Sequence, residues 1–145
     1  MDTEIKTKED VAVLITAYNE AKILGCLLEN IPSTYHVYVV DDGSTDETSR
    51  IASKHRAEVV ALPINIGQGA ASVAGYKLLA EMDYDYLVKM DGDGQHDPGE
   101  IPKMIRKLEE SNADIVVGSR VLGSTHNEAP LLRRLFLSPV TKLFP

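Results

Sequence analysis

Asp91 and Asp93 stand two residues apart at the end of an apolar run, Tyr86-Leu87-Val88-Lys89-Met90, with Gly92 between them and Gly94 after them. Two carboxylates at that spacing can turn toward one hard divalent cation, while the glycines let the backbone bend. Gln95 adds a neutral oxygen on the same side by period-two alternation. Mg²⁺ or Mn²⁺ held by so few protein oxygens keeps coordination positions for phosphate oxygens. Asp91, Asp93 and Gln95 are therefore the candidate metal ligands. The competing readings are an acidic surface turn and the opening of a calcium EF-hand loop. The EF-hand fails because its sixth position would be His96 rather than Gly, and its twelfth Pro102 rather than Glu.

Other constellations collect around this pair. Asp41-Asp42-Gly43-Ser44 also ends an apolar run. A carboxylate there can accept hydrogen bonds from a ribose or a base. The alternative is that Asp42 and Ser44 serve the turn and cap the next helix, and the two roles are compatible. Asn65-x-Gly67-x-Gly69 is neither a phosphate loop, since no Lys-Ser/Thr follows, nor a dinucleotide fingerprint, since Ser72 takes the third glycine's place. Its glycines equally suit close packing at a helix start. Tyr18-Asn19-Glu20 reads as a binding loop or as a helix cap. Arg120, after Gly118-Ser119, is a candidate diphosphate clamp or a surface charge. His96 adjoins the acidic pair, but His36, His55 and His126 share no ligand spacing with it, which gives zinc no support. Cys26 lies in an apolar helical segment and is expected in the core. No Gly-x-Ser-x-Gly elbow supports serine-hydrolase chemistry.

The elements that must position these residues alternate. Val11–Ile15, Val37–Val40, Glu58–Leu62, Tyr86–Met90 and Asp114–Gly118 are short apolar runs rich in β-branched residues. They predict five buried strands of a parallel sheet. Between them lie helical signals. Asn19 can cap a helix with the face Ile23, Leu24, Leu27, Leu28 and Ile31, ended by Pro32. Ser44-Thr45-Asp46-Glu47 has capping-box spacing before Ile51 and Ala52. Gly67–Met82 is Ala-rich, with Ala71, Ala74, Leu78 and Met82 on one face. Asp97-Pro98-Gly99-Glu100 opens a helix with the face Ile101, Met104, Ile105 and Leu108. This alternation predicts an α/β fold, a mostly parallel twisted sheet with helices on both faces. In such folds ligands bind beyond the carboxyl ends of the strands, where the polar, acidic and Gly-rich residues gather here.

The chain has 145 residues, with 15 Lys+Arg against 22 Asp+Glu, a net charge of −7. A hydrophobic content of 43% suits a globular chain rather than a disordered one. The acidic balance disfavours nucleic acid as a partner. A single cysteine excludes an internal disulfide framework and a Cys-rich zinc site. No signal peptide is visible in MDTEIKTKED, and no apolar run approaches the about 20 residues of a membrane span. A cytoplasmic location is expected, peripheral at the membrane face if the tail associates with lipid. The expected organisation is an N-terminal segment (1–10), a nucleotide-sugar-binding and catalytic domain (11–122), and an amphipathic C-terminal segment (123–145). Leu131, Leu132, Leu135, Phe136 and Leu137 alternate there with Arg133 and Arg134. This segment could lie on an anionic membrane, pack on the sheet, or pair copies of the chain, while Pro139 breaks any single helix.

Taken in order, Ile15-Thr16-Ala17-Tyr18-Asn19-Glu20, Val39-Val40-Asp41-Asp42-Gly43-Ser44, Asn65-Ile66-Gly67-Gln68-Gly69, Met90-Asp91-Gly92-Asp93-Gly94-Gln95-His96-Asp97 and Gly118-Ser119-Arg120 resemble the family-2 glycosyltransferases. The Asp-x-Asp-x-Gln-His run is most similar to the polyprenyl-phosphate mannose or glucose synthase branch. The resemblance covers about residues 11–120. It implies the Rossmann-like GT-A fold and a GDP- or UDP-sugar donor. Ala17, Tyr18, Glu20, Asp41, Asp42, Asn65, Gly67, Asp91 and Gly92 would line the donor site. Asp91, Asp93 and Gln95 would hold Mg²⁺ or Mn²⁺ on the diphosphate, Arg120 would contact phosphate, and Arg133 or Arg134 would match a further basic position. Asp91, Asp93 and Arg120 would then act catalytically in displacing the nucleoside diphosphate from the anomeric carbon. A polyprenyl-phosphate acceptor is already anionic and needs no strong base, whereas a sugar hydroxyl would need a carboxylate base, expected in the missing acceptor part or at best at Asp97. The family often has Pro where Thr16 stands. The Ser-Gly-Phe-Arg-like motif that family members carry beyond the position of Arg120 is absent, so a donor half without much of the acceptor half is expected. The alternative function is a nucleotide-sugar-binding module without transfer of its own. A nucleotidyltransferase would need a basic, Gly-rich loop at Thr16–Glu20, which is not there.

Overall fold

In the computed structural model, which describes residues 11–119, the central strand is β1 (Val11–Ala17), and all seven of its residues are buried. An unbroken run such as VAVLITA is stable as a strand when both faces receive apolar cover. β1 is flanked in parallel by β2 (His36–Asp41) and β4 (Tyr86–Asp91), and β3 (Glu58–Ala61) pairs with the far side of β2. The order is β3-β2-β1-β4. The helices are α1 (Ala21–Glu29), α2 (Thr48–Lys54), α3 (Gln68–Ala80) and α4 (Ile101–Ser111), the last entered through a 3₁₀ turn at Pro98–Glu100.

The alternation of side chains along β1 divides the core in two. Val11, Val13, Ile15 and Ala17 pack with Leu24, Leu27 and Leu28 of α1, Ala52 of α2 and Ile101 of α4. Ala12 and Leu14 point the other way, onto Tyr38, Val40, and Ala71 and Leu79 of α3. Helices therefore cover both faces of a parallel sheet, as the sequence predicts. Each large aliphatic side chain fully buried here contributes about 1.5–3 kcal/mol. On the α3 side, Tyr38 and Tyr84 share a hydroxyl–hydroxyl hydrogen bond of 2.8 Å.

Several local expectations change. Asp114–Gly118 does not form a fifth strand, and Ile115 and Val117 are 77% and 81% exposed. β-branched residues favour a strand, but a strand exists by pairing, and among the described residues none pairs with this segment. The predicted α3 face of Ala71, Ala74, Leu78 and Met82 is met in part: Ala71 is buried and Leu78 and Met82 pack, partly buried, on the same cluster, while Ser72, Gly75 and Leu79 are buried as well. Leu14 lies so close to Gly75 that a Cβ there would stand 2.5 Å from Leu14 Cδ1. Cys26 is exposed rather than in the core, because the buried stripe of α1 runs through Leu24, Leu27 and Leu28.

The described residues divide into two compact units between Ile105 and Arg106, within α4. The first holds the sheet, α1–α3 and the loops at the strand ends. The second begins with the remainder of α4. No helix among the described residues is long and apolar enough to cross a membrane.

Candidate functional site

β1, β2 and β4 end level with one another, with Ala17 opposite Asp41 and Thr16 opposite Asp91. The strands are tied just past their ends by Asp42 N–H to Ala17 O (2.8 Å) and Gly92 N–H to Thr16 O (2.9 Å). Three loops thus leave the sheet side by side. The two glycines of the acidic turn have different tasks. A Cβ on Gly92 would lie 2.9 Å from Ala17 Cβ and 3.2 Å from Thr16 O, so glycine permits the close approach of β4 to β1. Gly94 takes φ 72°, which bends the chain back.

Asp91 is the most heavily engaged member of the candidate metal set. Its Oδ1 accepts from Lys89 Nζ and from Gln68 Nε2, the latter at 2.5 Å. Its backbone N–H donates to His96 Nδ1 at 3.1 Å, which closes the Asp91–His96 turn. Burial pushes the Asp91 carboxyl up, but the Lys89 hydrogen bond and charge, helped by His96 and Gln68, outweigh it and hold the group below its ordinary value. Asp93 Oδ1 accepts from Gln95 N–H at 3.0 Å. Thr16 is 4% exposed, and its hydroxyl has no hydrogen-bond partner among the described residues.

Glu20 lies within electrostatic reach of Asp93 and Asp46. Burial first, then those two negative charges, raise its carboxyl above the ordinary 4.5. The loop that carries Glu20 is held by the loop after β2. Asn19 Oδ1 accepts from Thr45 N–H (2.9 Å), Asn19 N–H donates to Ser44 Oγ (2.8 Å), and Glu20 N–H donates to Thr48 Oγ1 (2.9 Å). Asp46 Oδ2 accepts from Ala21 N–H (3.2 Å), while its Oδ1 accepts from Thr48 N–H (3.0 Å). Asn19 is therefore not the cap of α1, which opens after Glu20, and Ser44 is not the cap of α2, which opens after Glu47. Both side chains are used between loops instead, and Asn19 takes φ 55° to do so.

Asp41 and Asp42 are each 3% exposed. Asp41 accepts from Ser44 N–H at 2.9 Å and from the Ser49 hydroxyl. Asp42 accepts from Ile66 N–H (2.8 Å) and Gly67 N–H (2.9 Å), so it fastens the loop before α3 to the end of β2. Tyr18 and Asn65 are exposed, whereas Ala17 and Gly92 are buried at the strand ends. Arg120, Arg133, Arg134 and the segment 123–145 lie outside the described residues. Lys89, Gln68, Asp46 and Thr48 were not singled out as partners of the site by sequence. Lys89 carried a usable signal, since it stands two residues before Asp91 on the same strand face.

Among the described residues, no three or more His, Cys, Asp or Glu side chains come together as a complete metal shell. The donor set that is present, two carboxylates and an amide, suits Mg²⁺ or Mn²⁺ sharing its shell with phosphate and water. The negative charges of Asp93 and Asp46 act on Glu20 beside this turn, adding to burial in raising its carboxyl. A cleft of about 630 Å³ opens beside this turn, between Ile23, Cys26, Leu27 and Asn30 of α1 and its end and residues 94–99.

A family model described as glycosyl transferase family 2 matches residues 12–136. The chain belongs to that family. It is 32% identical to a polyprenol monophosphomannose synthase of Mycolicibacterium smegmatis over 97% of this chain and 56% of that protein. It is 35% identical to an undecaprenyl-phosphate mannosyltransferase of Micrococcus luteus over 93% of this chain and 58% of that protein. The chain thus spans a little over half the length of these curated relatives. Among solved structures, glucosyl-3-phosphoglycerate synthase of Mycobacterium tuberculosis, in complex with Mn²⁺, uridine diphosphate and glucosyl-3-phosphoglycerate, superposes with a TM-score of 0.57 at 26% identity. That match covers 69% of this chain and 39% of the synthase. The four-stranded parallel sheet of this family-2 chain is accordingly a GT-A fold.

Proposed function

We propose that this chain carries the donor half of a glycosyltransferase that moves a sugar from a GDP- or UDP-sugar to a polyprenyl phosphate. The observation that supports this most is the placement of the Asp91–Gln95 turn beside the loops after β1 and β2, at one end of the sheet. Tyr18 and Glu20 border the nucleoside there, and Ala17, Asn65, Gly67 and Gly92 line its path. Asp41 and Asp42 shape the adjoining loops through the backbone N–H groups they hold, and their remaining lone pairs can accept ribose hydroxyls.

Asp91, Asp93 and Gln95 would hold a divalent cation, Mg²⁺ or Mn²⁺, which supplies neutralisation of the charge that grows on the departing diphosphate. The chain's own contribution is position. The Gly92 contact with β1 fixes the height of the turn above the sheet, and the His96–Asp91 hydrogen bond fixes its shape. The two loops cross-tied by Asn19, Ser44 and Asp46 hold Glu20 within electrostatic reach of Asp93. An anionic phosphate acceptor attacks the anomeric carbon without a protein base, as the C1–O bond to the nucleoside diphosphate breaks. Arg120 is proposed as the phosphate clamp, and residues 123–145 as the peripheral membrane or self-association segment.

The experiment is a titration of GDP and UDP with and without Mn²⁺ on wild type and Asp93→Ala, joined to a screen for sugar transfer to polyprenyl phosphate. Mn²⁺ should tighten nucleotide binding by about tenfold or more in wild type and not in Asp93→Ala. Equal affinity in all arms refutes the metal role. The second reading is donor binding without transfer, and nucleotide binding with no product in the screen selects it.

A further inference from the structure

We propose that Lys89 is the resident cation of the Asp91 carboxylate, occupying its Oδ1 until a divalent ion replaces it and so setting how tightly this chain binds that ion. The inference rests on Asp91 being a metal ligand, as read above.

Lys89 and Asp91 stand on the same face of β4, two residues apart, and the Lys89 ammonium donates to Asp91 Oδ1. The pair is sheltered, with the two side chains 24% and 26% exposed, so bulk water screens it less than a surface ion pair. The surroundings direct the lysine there. Its cross-strand neighbour is Leu14, which is fully buried in the apolar cluster under α3. The methylene stem can lie along that apolar surface, while the ammonium reaches up the strand to the carboxylate. Gln68, from the first turn of α3, donates to the same oxygen, so Oδ1 holds two donors from two elements.

That oxygen faces a conflict when a divalent ion arrives. An ion on Oδ1 would displace the Lys89 ammonium, and an ion on the carboxylate's other oxygen would still feel its like charge across a few ångströms of a partly sheltered site. On either oxygen the ion's observed affinity is lowered by the presence of Lys89. A diphosphate arriving with the ion gives the freed ammonium a new anionic neighbour. Free metal is therefore held weakly and metal together with nucleotide more firmly, a preference the acidic turn alone would not impose.

The test is Mn²⁺ binding to the whole chain without nucleotide, followed by the electron paramagnetic resonance signal of free Mn²⁺. Wild type, Lys89→Met, Lys89→Arg, Asp91→Asn and the double variant Lys89→Met/Asp91→Asn are compared. Lys89→Met should tighten Mn²⁺ about three- to tenfold, the scale of removing one partly screened charge. Lys89→Arg keeps the cation and should bind like wild type. In the Asp91→Asn background, Lys89→Met should make no difference. Circular dichroism checks that each variant is folded, and a purely structural role for Lys89 would shift its melting point without tightening Mn²⁺. If Lys89→Met binds Mn²⁺ no better than wild type while Asp91→Asn weakens it, Lys89 is not the competitor and the proposal falls. If wild type and Asp91→Asn bind alike, the metal assignment itself is wrong, and this proposal goes with it.

Discussion

Glu20 carries a consequence that can be measured without any ligand. Its carboxyl is raised above 4.5 by burial and by the charges of Asp93 and Asp46. As pH rises, the unfolded chain releases that proton first. The native state therefore loses stability between the ordinary value and the raised one, and stays lower above both. Removing the charge should recover the difference. Glu20→Gln is expected to show a higher urea midpoint than wild type at pH 7 and no advantage at pH 4, where both states hold the proton. An equal midpoint at pH 7 would mean that the native fold does not raise the Glu20 carboxyl. At this scale the sequence was informative wherever residue type and strand-end position coincide. Asp91, Asp93, Glu20 and Gly92 were named from it, and all stand at the carboxyl ends of the strands. What it withheld was occupancy. Whether Asp42 is an open acceptor or already holds backbone N–H groups depends on the path of the loop before α3, some 24 residues on.

The helices show the same division between type and partner. Asn19 and Ser44 are good capping residues, and each lies close to a helix start. Their hydrogen bonds nevertheless run across 25 or 26 residues, from one loop to the other, because β1 and β2 are adjacent strands that bring the two loops together. Local signals located α1, α2, α3 and α4, but not which side chain closes which end. Asp46 is the junction, accepting from Ala21 at the start of α1 and from Thr48 at the start of α2. The Thr48 hydrogen bond keeps its carboxyl below the ordinary value, so the charged form is the one that caps. Asp46→Ala should lower stability by about 1 kcal/mol, the usual worth of a cap, in a chemical-denaturation measurement. Asp46→Asn, which keeps an acceptor oxygen, should recover part of that. A loss no larger in Asp46→Ala than in Asp46→Asn would mean the oxygen does not cap either helix. The unformed strand over Asp114–Gly118 belongs here too. Its residues have the right propensity, and pairing, which no single segment encodes, is missing among the described residues.

For the whole molecule, the two-sided core is the feature most directly written in the sequence, because β1 is apolar at every position and must be covered twice. Its finer packing was not written there. The contact of Gly75 with Leu14 was missing from the predicted α3 face, because neither residue announces the other across 61 positions. That fit makes a prediction about the fold as a unit. Leu14→Ala leaves a cavity in a fully buried site and should cost about 2–5 kcal/mol. Gly75→Ala gains about 1 kcal/mol of helix propensity. It also drives a methyl to within 2.5 Å of Leu14 Cδ1 and 2.7 Å of Cδ2. Leu14 cannot swing away into solvent, so the overpacking, about 1–3 kcal/mol, should leave Gly75→Ala neutral or destabilised. In the double variant the new methyl enters the space that Leu14 vacates. Clash and cavity then offset each other, and the double variant should be more stable than the sum of the single changes allows, by about 1 kcal/mol or more. Strict additivity in a denaturation cycle would mean that α3 and β1 do not meet at this point, and that the register of α3 on the sheet differs from the one described.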